Sequence, residues 1–166
     1  MQTVRFGLIA KAGFYTIMNA EDFSARMTRP VIAIAKSSFA KANQRGMLEP
    51  DTLLLLESML ECEGSISLSV LNSNGITANE VRELCDKSTV SDIALPEVRT
   101  QCFTEANLLG HSYPGTEHLL LAICHFNGCR ASQLIQSKTD GTIAISKDII
   151  EILGVSWKRW CRLHRN

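Results

Sequence analysis

The chain has 166 residues, 45% of them hydrophobic and 20% charged, which is the length and balance of one soluble domain or two small ones with a real core. That size excludes a large multidomain machine. The 17 basic residues offset 17 acidic ones, so no whole-chain field draws the protein to nucleic acid or anionic lipid. No apolar run reaches the roughly 20 residues that a bilayer span needs, so no membrane partner is expected.

Residues 1–26 hold Arg5 and Lys11 ahead of their first acid, Glu21. Lys11 interrupts the apolar run and no small-x-small cleavage site follows. The segment reads as a loosely packed extension, or as an early start with Met18 or Met27 downstream, rather than as a targeting signal. The cysteines Cys62, Cys85, Cys102, Cys124, Cys129 and Cys161 fall partly inside helical runs such as LLLAIC, where Cys acts as a small hydrophobe. A chain this long needs no disulfide staples. Free thiols in a reducing compartment, the cytoplasm, are expected.

Strand signals are nearly absent and helix signals recur. Val31, Ile34, Ala35, Phe39 and Ala42 repeat at spacings of three and four, which predicts a helix from Arg29 to Arg45 with one buried face, stopped by Gly46. Thr52 stands at an N-cap position before LLLLESMLEC, and Gly64 follows. Ser65 opens a short helix through Leu71, and Asn74-Gly75 stops it. Thr77 and Glu80 form a capping box for a fourth helix carrying Val81, Leu84 and Cys85. A linker is expected from Asp86 to Asp92. Pro96 then fits the first turn of a helix ending at Leu109 and Gly110. Thr116 caps EHLLLAICHF before Gly128, a short helix covers Ala131 to Gln136, and Ser146 caps a last one through Leu153.

The halves keep a constant spacing. Phe39 and Phe103, Ala42 and Ala106, Gly46 and Gly110, Thr52 and Thr116, Leu55 and Leu119, and Gly64 and Gly128 all stand 64 residues apart. Such register implies a duplicated four-helix unit. It is expected to slip after Gly128, where Lys138 to Thr142 adds a polar loop. The predicted fold is all-α: two tandem repeats, 27–87 and 92–154, packed into one pseudo-twofold domain (27–154) of about eight helices. A basic tail, 155–166, follows.

The segment LGHSYPGTEHLLLAI, Leu109 to Ile123, resembles the signature of the Clp N-terminal domain. That domain is the double four-helix repeat in front of the ATPase rings of Clp-type AAA+ unfoldases. The resemblance runs from about Met27 to Gly154. In the first unit the frame is RGMLEPDTLLLLESMLECEG, with Thr52 kept and the Glu-His pair replaced by Leu53-Leu54. It implies a non-enzymatic module that binds the unfoldase, its adaptors or its substrates. The sequence holds no GxxxxGK[ST] phosphate loop, so it resembles the recognition domain without its motor, acting as adaptor or regulator.

In some members of that family the Glu of GTEH, with the Thr opening the preceding unit's first helix, holds phosphorylated arginine. The carboxylate takes the guanidinium, while the hydroxyl and helix N-terminal N–H groups take the phosphate. By that pattern unit one has Thr28 but Leu53 in place of Glu, and unit two has Glu117 but Asp92 in place of Thr. Neither pocket is then complete.

The expected protein-binding site is the groove between units near Thr116, Glu117 and His118, with Thr52 and Leu53 as pseudo-equivalents. Glu117 also has a structural reading, as a first-turn acid complementing the helix dipole, and His118 as a loop hydrogen-bonder. No metal or cofactor is expected: His118, Cys124, His125 and Cys129 spread over more than one helical face. No nucleophile elbow suggests catalysis. In the tail, Trp157, Arg159 and Trp160 suit docking onto an acidic protein surface. The alternative function is a small nucleic-acid-associated regulator, with the tail's cations on phosphates and its indoles stacking. The third reading packs the indoles on the domain and leaves the charges solvated.

Overall fold

The computed structural model describes residues 17–86 and 92–165. Most of the expected extension and the centre of the expected linker lie outside the described residues. Among the described residues the chain forms ten helices: α1 (Ala20–Ser24), α2 (Arg29–Gln44), α3 (Thr52–Leu60), α4 (Ile66–Ser73), α5 (Ala78–Cys85), α6 (Leu95–Leu108), α7 (Thr116–His125), α8 (Arg130–Lys138), α9 (Thr142–Ile152) and α10 (Trp157–Leu163). None is long and apolar enough to cross a membrane. The molecule is all-α, as its periodicity predicts.

Helices α2–α5 and α6–α9 are the two units. In each, the third-last element in chain order becomes the centre: α3 packs on α2 and α5, and α7 on α6 and α9. The central helices are enclosed on nearly every side. All nine residues of α3 are buried, as are Thr116 and His118–Cys124 of α7, the pattern of a helix enclosed by neighbours rather than lying on a surface. Contacts of α3 with α8, of α4 with α7 and of α3 with α7 join the units. One contiguous apolar core results, with Leu55, Leu56, Leu71, Leu119, Leu120 and Ile135 buried in the same cluster.

The structure changes the expected register in the last helix. The 64-residue spacing does not slip after Gly128. Ser65 and Cys129 cap α4 and α8, Thr77 and Gly141 precede α5 and α9, and Val81 and Ile145 are both fully buried. The expected Ser146 cap is instead a buried residue inside α9 whose hydroxyl donates to the Thr142 carbonyl oxygen at 2.9 Å. Gly141, at φ +96°, turns the chain into α9 one helical turn earlier, in a conformation that side-chain-bearing residues rarely adopt.

Both ends of the folded body also extend past the expected boundaries of 27 and 154. Phe23 of α1 is fully buried against α2 and α6. The Arg99 guanidinium holds the chain there by donating to the carbonyl oxygens of Asp22, Phe23 and Ala25. At the other end, α10 packs on α9, with Trp157 and Trp160 half-buried against the core.

Candidate functional site

The helix starts that the repeat singles out are built differently from expectation. Thr52 and Thr116 are not N-caps; each is the first helical residue and is buried. Asp51 caps α3 by accepting from Leu54 N at 2.9 Å. Burial pushes the Asp51 carboxyl above its ordinary range, opposed by the Leu54 N–H and by the Arg130 guanidinium that pairs with it. Ahead of α7 stands Gly115, which offers no side chain, and the return half of a capping box takes over: Gly115 N donates to His118 Nδ1 at 2.8 Å.

Freed from capping, the threonine hydroxyls reach across to the other unit. Thr52 Oγ1 accepts from Ala131 N of α8 at 3.1 Å, and Thr116 Oγ1 accepts from Ser67 N of α4 at 3.5 Å. Ala131 and Ser67 are themselves 64 residues apart. Each unit thus satisfies a first-turn N–H of the other, a group that its own helix leaves unpaired. The α3 and α8 starts meet at one junction, and the α4 and α7 starts at its pseudo-equivalent.

This exchange also re-pairs the residues that open the units. The Asp92 carboxylate lies at the α3–α8 junction, accepting from Thr52 N at 2.6 Å, Thr52 Oγ1 at 2.5 Å and Arg130 N at 3.1 Å. An anion between two helix N-termini is electrostatically favoured, and here the chain supplies its own. The counterpart Thr28 sits at the other junction, where its N–H donates to the Pro114 carbonyl oxygen at 3.0 Å. Thr28 therefore belongs with the segment leading to Glu117, and Asp92 with Thr52 and Leu53. The expected pairings, Thr28 with Leu53 and Asp92 with Glu117, are corrected: the partners come from opposite units.

At the start of α7, His111, Glu117 and His118 converge within 4.8 Å of one another. Gly115 N–H occupies His118 Nδ1, which places the ring proton on Nε2, where it donates to His111 Nδ1 at 2.7 Å. Burial, reinforced by His111, pushes the His118 pKa down to about 4. Glu117 Oε1 lies 3.2 Å from Nδ1 and would favour a charged ring, but desolvation outweighs it and His118 stays neutral. The two imidazoles are also nearer than the about 3.3 Å that ligands of a tetrahedral ion with bonds of about 2.0–2.1 Å would keep. As arranged, Gly115 N–H, His118 and His111 form a hydrogen-bond chain that fixes the loop, with the Glu117 carboxylate beside it. The residues weighed for zinc do not meet: Cys124 and Cys129 are buried and His125 is exposed.

Of the expected binding residues, Thr52, Leu53, Thr116 and His118 are interior; they position the junctions and present no surface. Glu117 is partly accessible, its carboxylate folded over Gly115 so closely that a Cβ there would lie 2.5 Å from it. Beside it Tyr113 is 62% exposed, an aromatic that the motif contained without marking as surface. In the tail, Trp157 and Trp160 stack on each other with centroids 4.8 Å apart and turn inward, while Lys158, Arg159, Arg162 and Arg165 face solvent.

Compared with family models and with curated proteins, the chain matches none.

Proposed function

We propose that the protein is a protein-binding module of the Clp chaperone–protease system, serving as adaptor or regulator in substrate recognition and carrying no chemistry of its own. Its partners are a Clp-type AAA+ unfoldase, or that machine's adaptors or substrates. The observation that carries the reading is the reciprocal locking of two 64-residue units around the helix that LGHSYPGTEHLLLAI opens. The docking surface is the α4–α7 junction, with Glu117, Tyr113 and Thr28 as its accessible groups. The Thr28 N–H bond to the Pro114 carbonyl oxygen sets Thr28 beside the segment that leads to Glu117, and a Thr and a Glu of that kind are what the resemblance associates with a phosphorylated arginine. The other junction is already filled by Asp92.

The test is affinity capture from the lysate of the protein's own cell at moderate salt, with wild type and Glu117→Ala side by side. Enrichment of a Clp ATPase, its peptidase or a narrow client set, lost in Glu117→Ala, is expected. Recovery of the same proteins with the variant would remove the junction from the reading.

The outward cations Lys158, Arg159 and Arg162 of α10, with Arg165 just beyond it, favour a second reading, a nucleic-acid-associated regulator binding through this face. Such binding would weaken steeply with added salt, with a log–log slope near one per phosphate contacted. Retention of nucleic acid alone, lost at higher salt, would put this reading first.

A further inference from the structure

The repeat supplies an internal comparison for one buried carboxylate. In unit one, Glu57 is 2% exposed and is neutralised within its own four helices by Lys41 at 3.4 Å, Arg45 at 3.7 Å and Arg82 at 3.1 Å. Sixty-four residues on, Leu121 replaces Glu57, Glu105 replaces Lys41 and Ser146 replaces Arg82. Unit two therefore buries a carboxylate, Glu105 at 1% exposure, with no cation of its own unit on it. Gln101 Nε2 donates to it at 2.7 Å. Its other partner comes from beyond the repeat: His164 Nε2 lies 2.9 and 3.1 Å from its two oxygens. His164 Nδ1 faces the Trp160 carbonyl oxygen at 3.0 Å. Both ring nitrogens thus face oxygen atoms.

The segment that delivers His164 fits its seat imperfectly. No residue of α10 is fully buried. A cavity of about 380 Å³ remains between it and α6, α7 and α9, walled by Leu121, Cys124, Ile143 and Trp157. The Trp160 indole N–H is buried with no acceptor among the described residues, a donor whose desolvation is uncompensated. The connection to α9 is short and turns at Gly154, φ +68°. Thr28, Thr116 and Glu117 take no part in this groove.

We propose that the α6–α7–α9 groove is a docking surface for a helical segment of another protein, one that presents two aromatics three residues apart and a cation four residues after the second. Helix α10 is the intramolecular stand-in for that segment. Apolar walls take the aromatics, and buried Glu105 requires the cation because nothing else in unit two supplies one. A partner carrying Phe in place of Trp160 avoids the stranded N–H and competes with α10 despite the millimolar effective concentration that a short tether confers.

The chain's two tryptophans are both in α10, so their fluorescence reports its docking directly. The probe is a Trp-free peptide of residues 155–166 carrying Trp157→Phe and Trp160→Phe, titrated into the intact chain. A saturable red shift of the protein's emission is expected, absent with a scrambled peptide of equal charge. In parallel, a fluorescein-labelled copy is titrated into the chain carrying Trp157→Ala and Trp160→Ala, whose α10 no longer competes. Binding at least tenfold tighter than to wild type is expected, lost at least tenfold on adding Glu105→Gln, with far-UV circular dichroism unchanged. Failure of both chains to bind the peptide overturns the proposal. So does a concentration-dependent dimer that Trp160→Ala abolishes, because the groove's occupant is then a second copy of this chain.

Discussion

Single hydroxyls and one imidazole hold the junctions together, and their contributions are unequal. Thr52 donates to Asp92 and accepts from Ala131, whereas Thr116 makes one long bond to Ser67. Removing the Thr52 hydroxyl strands the buried Ala131 N–H and takes one donor from Asp92, which keeps the Thr52 and Arg130 N–H groups, so Thr52→Val should cost about 1–3 kcal/mol. Thr116→Val, at the open junction, should cost less than about 1 kcal/mol. Urea midpoints of the two variants check the order; equal losses would mean that the junctions are energetically alike. His118 gives the pH dependence. Its pKa in the folded chain, about 4, lies below its ordinary 6.5, so the unfolded chain takes up the proton first. The contribution is fully present above pH 6.5 and is lost as pH falls toward 4, at up to about 1.4 kcal/mol per pH unit. Thermal melts across that window should fall with acid, and His118→Gln should flatten this part of the slope.

At the scale of helices, the two units reach the same places by different local means. Helix α5 starts with the full Thr77–Glu80 capping box, while its counterpart α9 starts from Gly141 with no side-chain cap. A Cβ there would meet nothing within 4 Å, so Gly141→Ala should cost only backbone strain, about 1–3 kcal/mol. Chemical denaturation measures it. A neutral result would show that α9 begins elsewhere, as the Ser146 cap would have had it. Periodicity revealed that helix but not its start, because a glycine turn leaves no hydrophobic signal and a serine inside a helix looks like a cap.

For the whole molecule, reciprocal bonds and one shared core make the units interdependent. Each central helix buries residues against the other unit, and each unit's second short helix borrows a hydroxyl from across the interface. Severing the chain between residues 86 and 92 should therefore give halves that do not fold alone and regain helicity only when mixed. Far-UV circular dichroism of the separate and combined halves decides this. Independent folding of either half would mean that the 64-residue unit is a domain in itself.

Helix class, the duplicated unit and the motif at α7 were all legible in one dimension, because apolar spacing, glycine stops and a constant offset are properties of order along the chain. The offset even carried the correct start of α9, hidden only by a misleading serine. Which residues meet was not legible. Thr28 stands 25 residues before Leu53 and 89 before Glu117, and proximity along the chain favours the wrong partner. Only the packing of α4 on α7 and α3 on α8 sets the exchange, because a buried N–H takes whichever acceptor the fold brings to it. The same packing turned Thr52, Leu53, Thr116 and His118 inward, and it gave Glu105 a partner, His164, from beyond the repeat.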